Sequence, residues 1–179
     1  MGHSRGGDGV THYIEYNRNN TRGPQFPLAG VLALAPMATA PDTVPQGTNF
    51  ATLLAGCDGD VSDLQGDHFF GSAKYHPANA RNALMHWYVE GANHNFYNTV
   101  WTASSDDGRF YSGGCGPRDP GTGRLTAEDQ RKTGVALMNA FMRRYVGGER
   151  AFDPLMTGEV TLPSSACPTG ASLAVVPCE

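Results

Sequence analysis

Three short apolar runs punctuate the chain: Gly30-Val31-Leu32-Ala33-Leu34-Ala35, Ala51-Thr52-Leu53-Leu54-Ala55 and His86-Trp87-Tyr88-Val89-Glu90. Runs this short predict buried parallel strands, and the first two are nearly continuous in apolar residues, as a sheet covered on both faces by helices requires. Each run stops at a turn former, at Pro36, Gly56 and Gly91 respectively. Helical spacing fills the intervals. Residues Gly7 to Arg18 offer Val10, Tyr13, Ile14 and Tyr16 as an apolar side, and a second helix is expected within Asp67 to Leu84, interrupted at Pro77. A third runs from Thr126 to Val146, with Thr126 as its cap, Glu128 and Asp129 in its first turn and Arg143 and Arg144 in its last. Gly147-Gly148 terminates it. Strands alternating with helices predict an α/β fold with a parallel sheet. From Ala151 the texture changes to Pro, Ser, Thr, Cys and Gly, so 151–179 is expected to be an extension or the start of a further module, without a core of its own.

Composition narrows the partners. The 179 residues carry a net charge of −4, which leaves no basic face for nucleic acid or an anionic membrane. No apolar run approaches the roughly 20 residues that span a bilayer. Four cysteines, Cys57, Cys115, Cys167 and Cys178, permit three pairings. Cys57–Cys115 would join two loops of the main body and Cys167–Cys178 would close a Pro- and Gly-rich tail, with four buried free thiols as the alternative. Bridges imply an exported, secreted protein. The spacing matches no zinc site, and no metal or organic cofactor is expected.

Chemistry concentrates in three places. Gly2-His3-Ser4-Arg5-Gly6 is a G-x-S-x-G pentapeptide, the pattern in which a serine occupies a sharp turn between a strand and a helix. A serine hydroxyl needs a base to remove its proton and a carboxylate to orient that base. Candidates follow the second and third apolar runs: Gly56-Cys57-Asp58-Gly59-Asp60-Val61, and Gly91-Ala92-Asn93-His94-Asn95-Phe96.

On these residues (G-H-S-R-G at 2–6, L-L-A-G-C-D-G-D-V at 53–61 and G-A-N-H-N-F at 91–96) the chain resembles the second half of an α/β-hydrolase, near the secreted bacterial esterases, lipases and polyester hydrolases. The resemblance covers residues 1–147 and implies an α/β-hydrolase fragment whose N-terminal strands are missing. It implies Ser4 as nucleophile, His94 as general base and Asp60 as the acid, because similar esterases place their acid four residues past the glycine; Asp58 is the reserve. It also implies that the Arg5 N–H is one oxyanion donor, the other belonging to a loop upstream of this chain. With a donor lacking, the isolated chain could be inactive. Phe96, Tyr97 and Trp101 could line the substrate cleft or pack the core edge. About 15 residues separate the first two predicted strands, too few for a folded cap domain, so the cleft is expected to admit bulky or polymeric esters as well as small ones.

Two other readings use the same residues. A serine peptidase employs an identical triad on this fold. Alternatively, Asp58, Asp60, Asp63 and Asp67 could belong to a non-catalytic calcium-binding module, although Ser62 and Asp63 break the EF-hand pattern.

Overall fold

A computed structural model describes residues 1–40, 42–61, 63–101 and 124–167. Within them β1 (Gly2–His3) leads directly into α1 (Arg5–Asn19), followed by β2 (Gly30–Leu34), β3 (Asn49–Ala55), α2 (Asp67–Ala73), β4 (Leu84–Val89), α3 (Ala127–Phe141) and α4 (Asp153–Thr157). The strands form one parallel sheet in the order β1-β2-β3-β4, flanked by helices, which is an α/β architecture. Register follows the predicted runs: Gly2 pairs with Ala33 and His3 with Leu34, while Gly30 to Leu34 pair with Asn49 to Leu53. All three predicted strands are present, displaced by at most two residues at either end.

The chain divides into two compact units. The first comprises Met1–Leu54 and Leu64–His86, and the second Ala55–Asp63 and Trp87–Glu179. In the first, Ile14, Val31, Ala33, Phe50 and Phe69 form the core, with Val10, Leu28, Ala38 and Leu84 packed against it. The face that α1 buries is more polar than its apolar residues predict. Gly7, Asp8, Thr11, Ile14 and Asn17 turn inward, whereas Tyr16 is exposed. Hydrogen bonds make this possible: Thr11 Oγ1 donates to Gly7 O at 2.8 Å, and the Asn17 amide both donates to Phe26 O and accepts from Phe26 N at 2.8 Å. Each buried polar atom thus replaces its water partner. The helix expected in 67–84 is short because Pro77 cannot donate within it; α2 ends at Ala73 and a single 3₁₀ turn covers Pro77–Asn79.

In the second unit α3 begins as predicted, with Thr126 Oγ1 accepting from Asp129 N at 3.1 Å. It does not continue as an α-helix to Val146. The turn Met142–Val146 is wider, closed by Gly147 N donating to Met142 O at 2.9 Å. A side chain at Gly147 would bring its Cβ to 2.7 Å from Arg143 O, so glycine is required there. Arg143 pairs with Glu149 and Arg144 with Asp153, fastening the segment that follows. Leu162 is fully buried, and Thr133 Oγ1 on α3 donates to Ala166 O at 3.2 Å, so residues through Cys167 pack on this helix. Neither Cys57 nor Cys167 is a free thiol; both are disulfide-bonded, and not to each other. Their expected partners, Cys115 and Cys178, lie outside the described residues. Among the described residues no helix is long and apolar enough to cross a membrane.

Candidate functional site

Ser4 stands between β1 and α1 with φ 57° and ψ −122°, a conformation that L-residues avoid. The surrounding backbone enforces it. Ser4 N donates to Leu34 O at 2.9 Å, while Ser4 O accepts from Gly7 N, Asp8 N and Met37 N at 2.9, 3.1 and 3.3 Å. Glycine is required at two neighbours for lack of space. A Cβ on Gly2 would lie 1.9 Å from Gly6 O, and one on Gly7 would lie 2.7 Å from the Pro36 Cβ. Gly6, by contrast, faces open space, so of the two glycines after Arg5 only Gly7 is sterically demanded. Arg5 is the first residue of α1, and its N–H therefore has no acceptor within the helix.

A polar network lies beside this turn. Asp8, almost wholly buried, accepts from Thr39 N at 3.2 Å and Thr39 Oγ1 at 2.5 Å, and its other near neighbour is His12 Nε2 at 3.3 Å. His12 Nδ1 in turn lies 3.0 Å from Thr43 Oγ1. The first turns of α1 are thereby tied to the chain that leaves β2. Asp8 in the first helical turn signals a favourable charge at a helix N-terminus, but its link to Thr39 has no local sequence signature.

The second unit holds the other candidates. Gly56 N donates to Val89 O at 2.9 Å and Cys57 N to Ala92 O at 2.7 Å, which sets the loop after β3 against the loop after β4. Asp58 is 2% exposed, and its two oxygens have separate tasks. Oδ1 accepts from Asp60 N at 3.0 Å and Val61 N at 2.6 Å; Oδ2 lies 2.7 Å from His94 Nδ1. His94 is fully buried. The two aspartates stand differently to the imidazole. Asp60 has a side chain 66% exposed and approaches the opposite nitrogen, Nε2, at 3.5 Å, whereas Asp58 holds Nδ1. The reason is local: the backbone N–H groups of residues 60 and 61 fold back onto the Asp58 carboxylate and turn the Asp60 side chain outward.

The aromatic candidates separate. Trp101 is exposed, and its indole lies parallel to the His94 ring with centroids 6.3 Å apart. Phe96 is half-buried, its N–H donating to Asn93 Oδ1 at 2.8 Å. Tyr97 points inward: its hydroxyl is buried with no partner among the described residues, and its ring leaves no room for a Cβ at Gly134, which would approach to 2.9 Å. Burial, and secondarily the charge of Asp58, push its phenol well above the usual tyrosine range. A raised phenol favours the protonated form in the folded state, so stability is retained below pH of about 10 and lost above it. Tyr97→Phe removes the orphan hydroxyl and should stabilise the protein by about 1 kcal/mol at neutral pH. It should also flatten the alkaline loss in thermal melts recorded from pH 8 to 11; a destabilised variant would contradict this assignment.

Among the described residues no three His, Cys, Asp or Glu side chains converge as a metal site, so the calcium reading gains no cluster there. No family model, curated protein or solved structure matches the chain.

Proposed function

We propose that the chain supplies the nucleophile, base and acid of a serine hydrolase of the α/β-hydrolase type, cleaving carboxylic esters through an acyl-enzyme. The observation that carries this reading is the backbone of Ser4. A serine held at positive φ on a strand-to-helix turn, between glycines that tolerate no side chain, is costly unless its hydroxyl must stand clear of the chain. The buried Asp58–His94 pair supplies the second half of the chemistry. A carboxylate on Nδ1 fixes the tautomer that leaves Nε2 as a proton acceptor and stabilises the imidazolium formed later.

In the proposed reaction Ser4 Oγ bonds to the ester carbonyl carbon as its proton passes to His94 Nε2, and the carbonyl π pair moves to oxygen. The Arg5 N–H, at the positive end of α1, donates to that oxyanion. Collapse breaks the carbon–alkoxide bond, and the alcohol leaves with the proton from His94. Water, deprotonated by the same imidazole, then releases the acid and restores Ser4. Trp101 and Phe96 are proposed to contact the ester, and Tyr97 to support the His94 loop rather than touch substrate. No step requires a cofactor. The disulfide-bonded state of Cys57 and Cys167 favours an exported protein.

Rapid mixing of the protein with a p-nitrophenyl ester tests the reading. The expected result is a burst of p-nitrophenol equal to the enzyme concentration, absent from Ser4→Ala. Ester hydrolysis that Ser4→Ala leaves intact would overturn it.

A further inference from the structure

We infer that Gln130 is the positioning residue for His94, an inference that rests on the proposed role of His94 as general base. Gln130 lies on the first turn of α3 and is fully buried. Its side-chain amide grips a single residue at both ends. Oε1 accepts from Asn93 N at 2.9 Å, and Nε2 donates to Asn93 O at 2.7 Å. Asn93 immediately precedes His94, so the peptide that carries the imidazole is bonded on its carbonyl side to a helix 37 residues away in sequence.

The clamp is not isolated. Asn93 Oδ1 accepts from Phe96 N at 2.8 Å, closing the turn that contains His94. Three residues past His94, the Tyr97 ring rests against Gly134, one helical turn beyond Gln130 on the same buried face of α3. Leu125 N, just ahead of that helix, donates to Gly91 O at 2.9 Å at the start of the loop. The loop bearing His94 is thus held at residues 91, 93 and 97 from one side, and Asp58 meets the ring from the other. Of these contacts only Gln130 fixes both polar groups of one backbone unit. A glutamine amide has one donor end and one acceptor end, and both are needed here. Glutamate offers two acceptors when ionised and matches the amide only when protonated.

That asymmetry separates positioning from bulk stability. In Gln130→Leu, kcat should fall about 10- to 100-fold with KM nearly unchanged, because a small misplacement of a base costs rate rather than binding. In Gln130→Glu, the ratio of its kcat to that of the parent should approach one at acid pH. It should fall as pH rises and the buried carboxyl ionises against Asn93 O. The ratio for Gln130→Leu should not depend on pH. Proton NMR of the His94 Nδ1–H, shared with Asp58, gives a readout without turnover: its resonance should shift or broaden in both variants at neutral pH and return in Gln130→Glu on acidification. A parent-like resonance and a pH-independent kcat ratio in Gln130→Glu, in a protein whose parent shows the Ser4-dependent burst, would overturn the inference while sparing the serine-hydrolase reading. Loss of the burst in the parent, with the resonance still responding to Gln130, would do the reverse.

Discussion

Ser4→Gly is expected to abolish ester turnover, by about 10⁶-fold in kcat, and to raise the melting temperature above that of Ser4→Ala. The two effects have different origins. Turnover is lost with the hydroxyl, in either variant. Stability differs because the backbone of residue 4 is held at φ 57° and ψ −122°, where any Cβ is strained. Relief of such strain is worth about 1–3 kcal/mol, and glycine returns roughly 0.4–1 kcal/mol of that through the greater freedom of the unfolded chain. A net gain of about 1 kcal/mol over Ser4→Ala corresponds to roughly 2–4 °C for a chain of this size. Thermal melts of the two variants, recorded side by side, check it. Equal melting temperatures would mean that the strain at residue 4 is no larger than the roughly 0.4–1 kcal/mol that glycine's freedom offsets, too little to mark a serine held there for its hydroxyl.

Asp58→Asn is expected to lower kcat by about 10⁴-fold, and Asp60→Asn to change it by less than about threefold. The arrangement of the Asp58 oxygens decides the sign. Oδ1 is bound by two backbone N–H groups, so the carbonyl oxygen of an asparagine would remain there. Its amide nitrogen would then face His94 Nδ1, which must become an acceptor and send its proton to Nε2. An imidazole in that tautomer offers no lone pair to a serine hydroxyl. Asp60 meets Nε2 only at 3.5 Å with an exposed side chain, and solvent screens its charge. Steady-state kinetics of both variants decide the matter; a large loss in Asp60→Asn with a small one in Asp58→Asn would reverse the assignment.

How much of this was visible in the residues differs from element to element. The apolar runs located β2 and β3, because strands covered on both faces admit few polar residues and so declare themselves locally. β4, only partly buried and with His86 exposed, was located at its end alone. Thr126 marked the start of α3 for a similar reason: a cap acts on its own N3 residue. Which aspartate meets Nδ1 of His94 was not legible. Both follow Gly56 within a few residues, and only the fold-back of two backbone N–H groups onto Asp58 distinguishes them. Gln130 was also invisible, since its partner Asn93 is remote in sequence and nothing in the helical pattern marks an inward glutamine as a clamp rather than a solvated residue. Tyr16 misled in the opposite direction. An aromatic at helical spacing predicted a buried face, yet Asp8, Thr11 and Asn17 take those positions because each finds a backbone or side-chain partner.

The proposed chemistry requires that His94 make Ser4 nucleophilic, and one measurement addresses that requirement directly. The protein is treated with a fluorophosphonate probe and the modified peptide is identified by mass spectrometry, alongside Ser4→Ala and His94→Ala. The predicted result is a single adduct on Ser4, absent from Ser4→Ala and formed at least about 10³-fold more slowly in His94→Ala. An adduct on another residue, or a Ser4 adduct formed at the parent rate without His94, would contradict it.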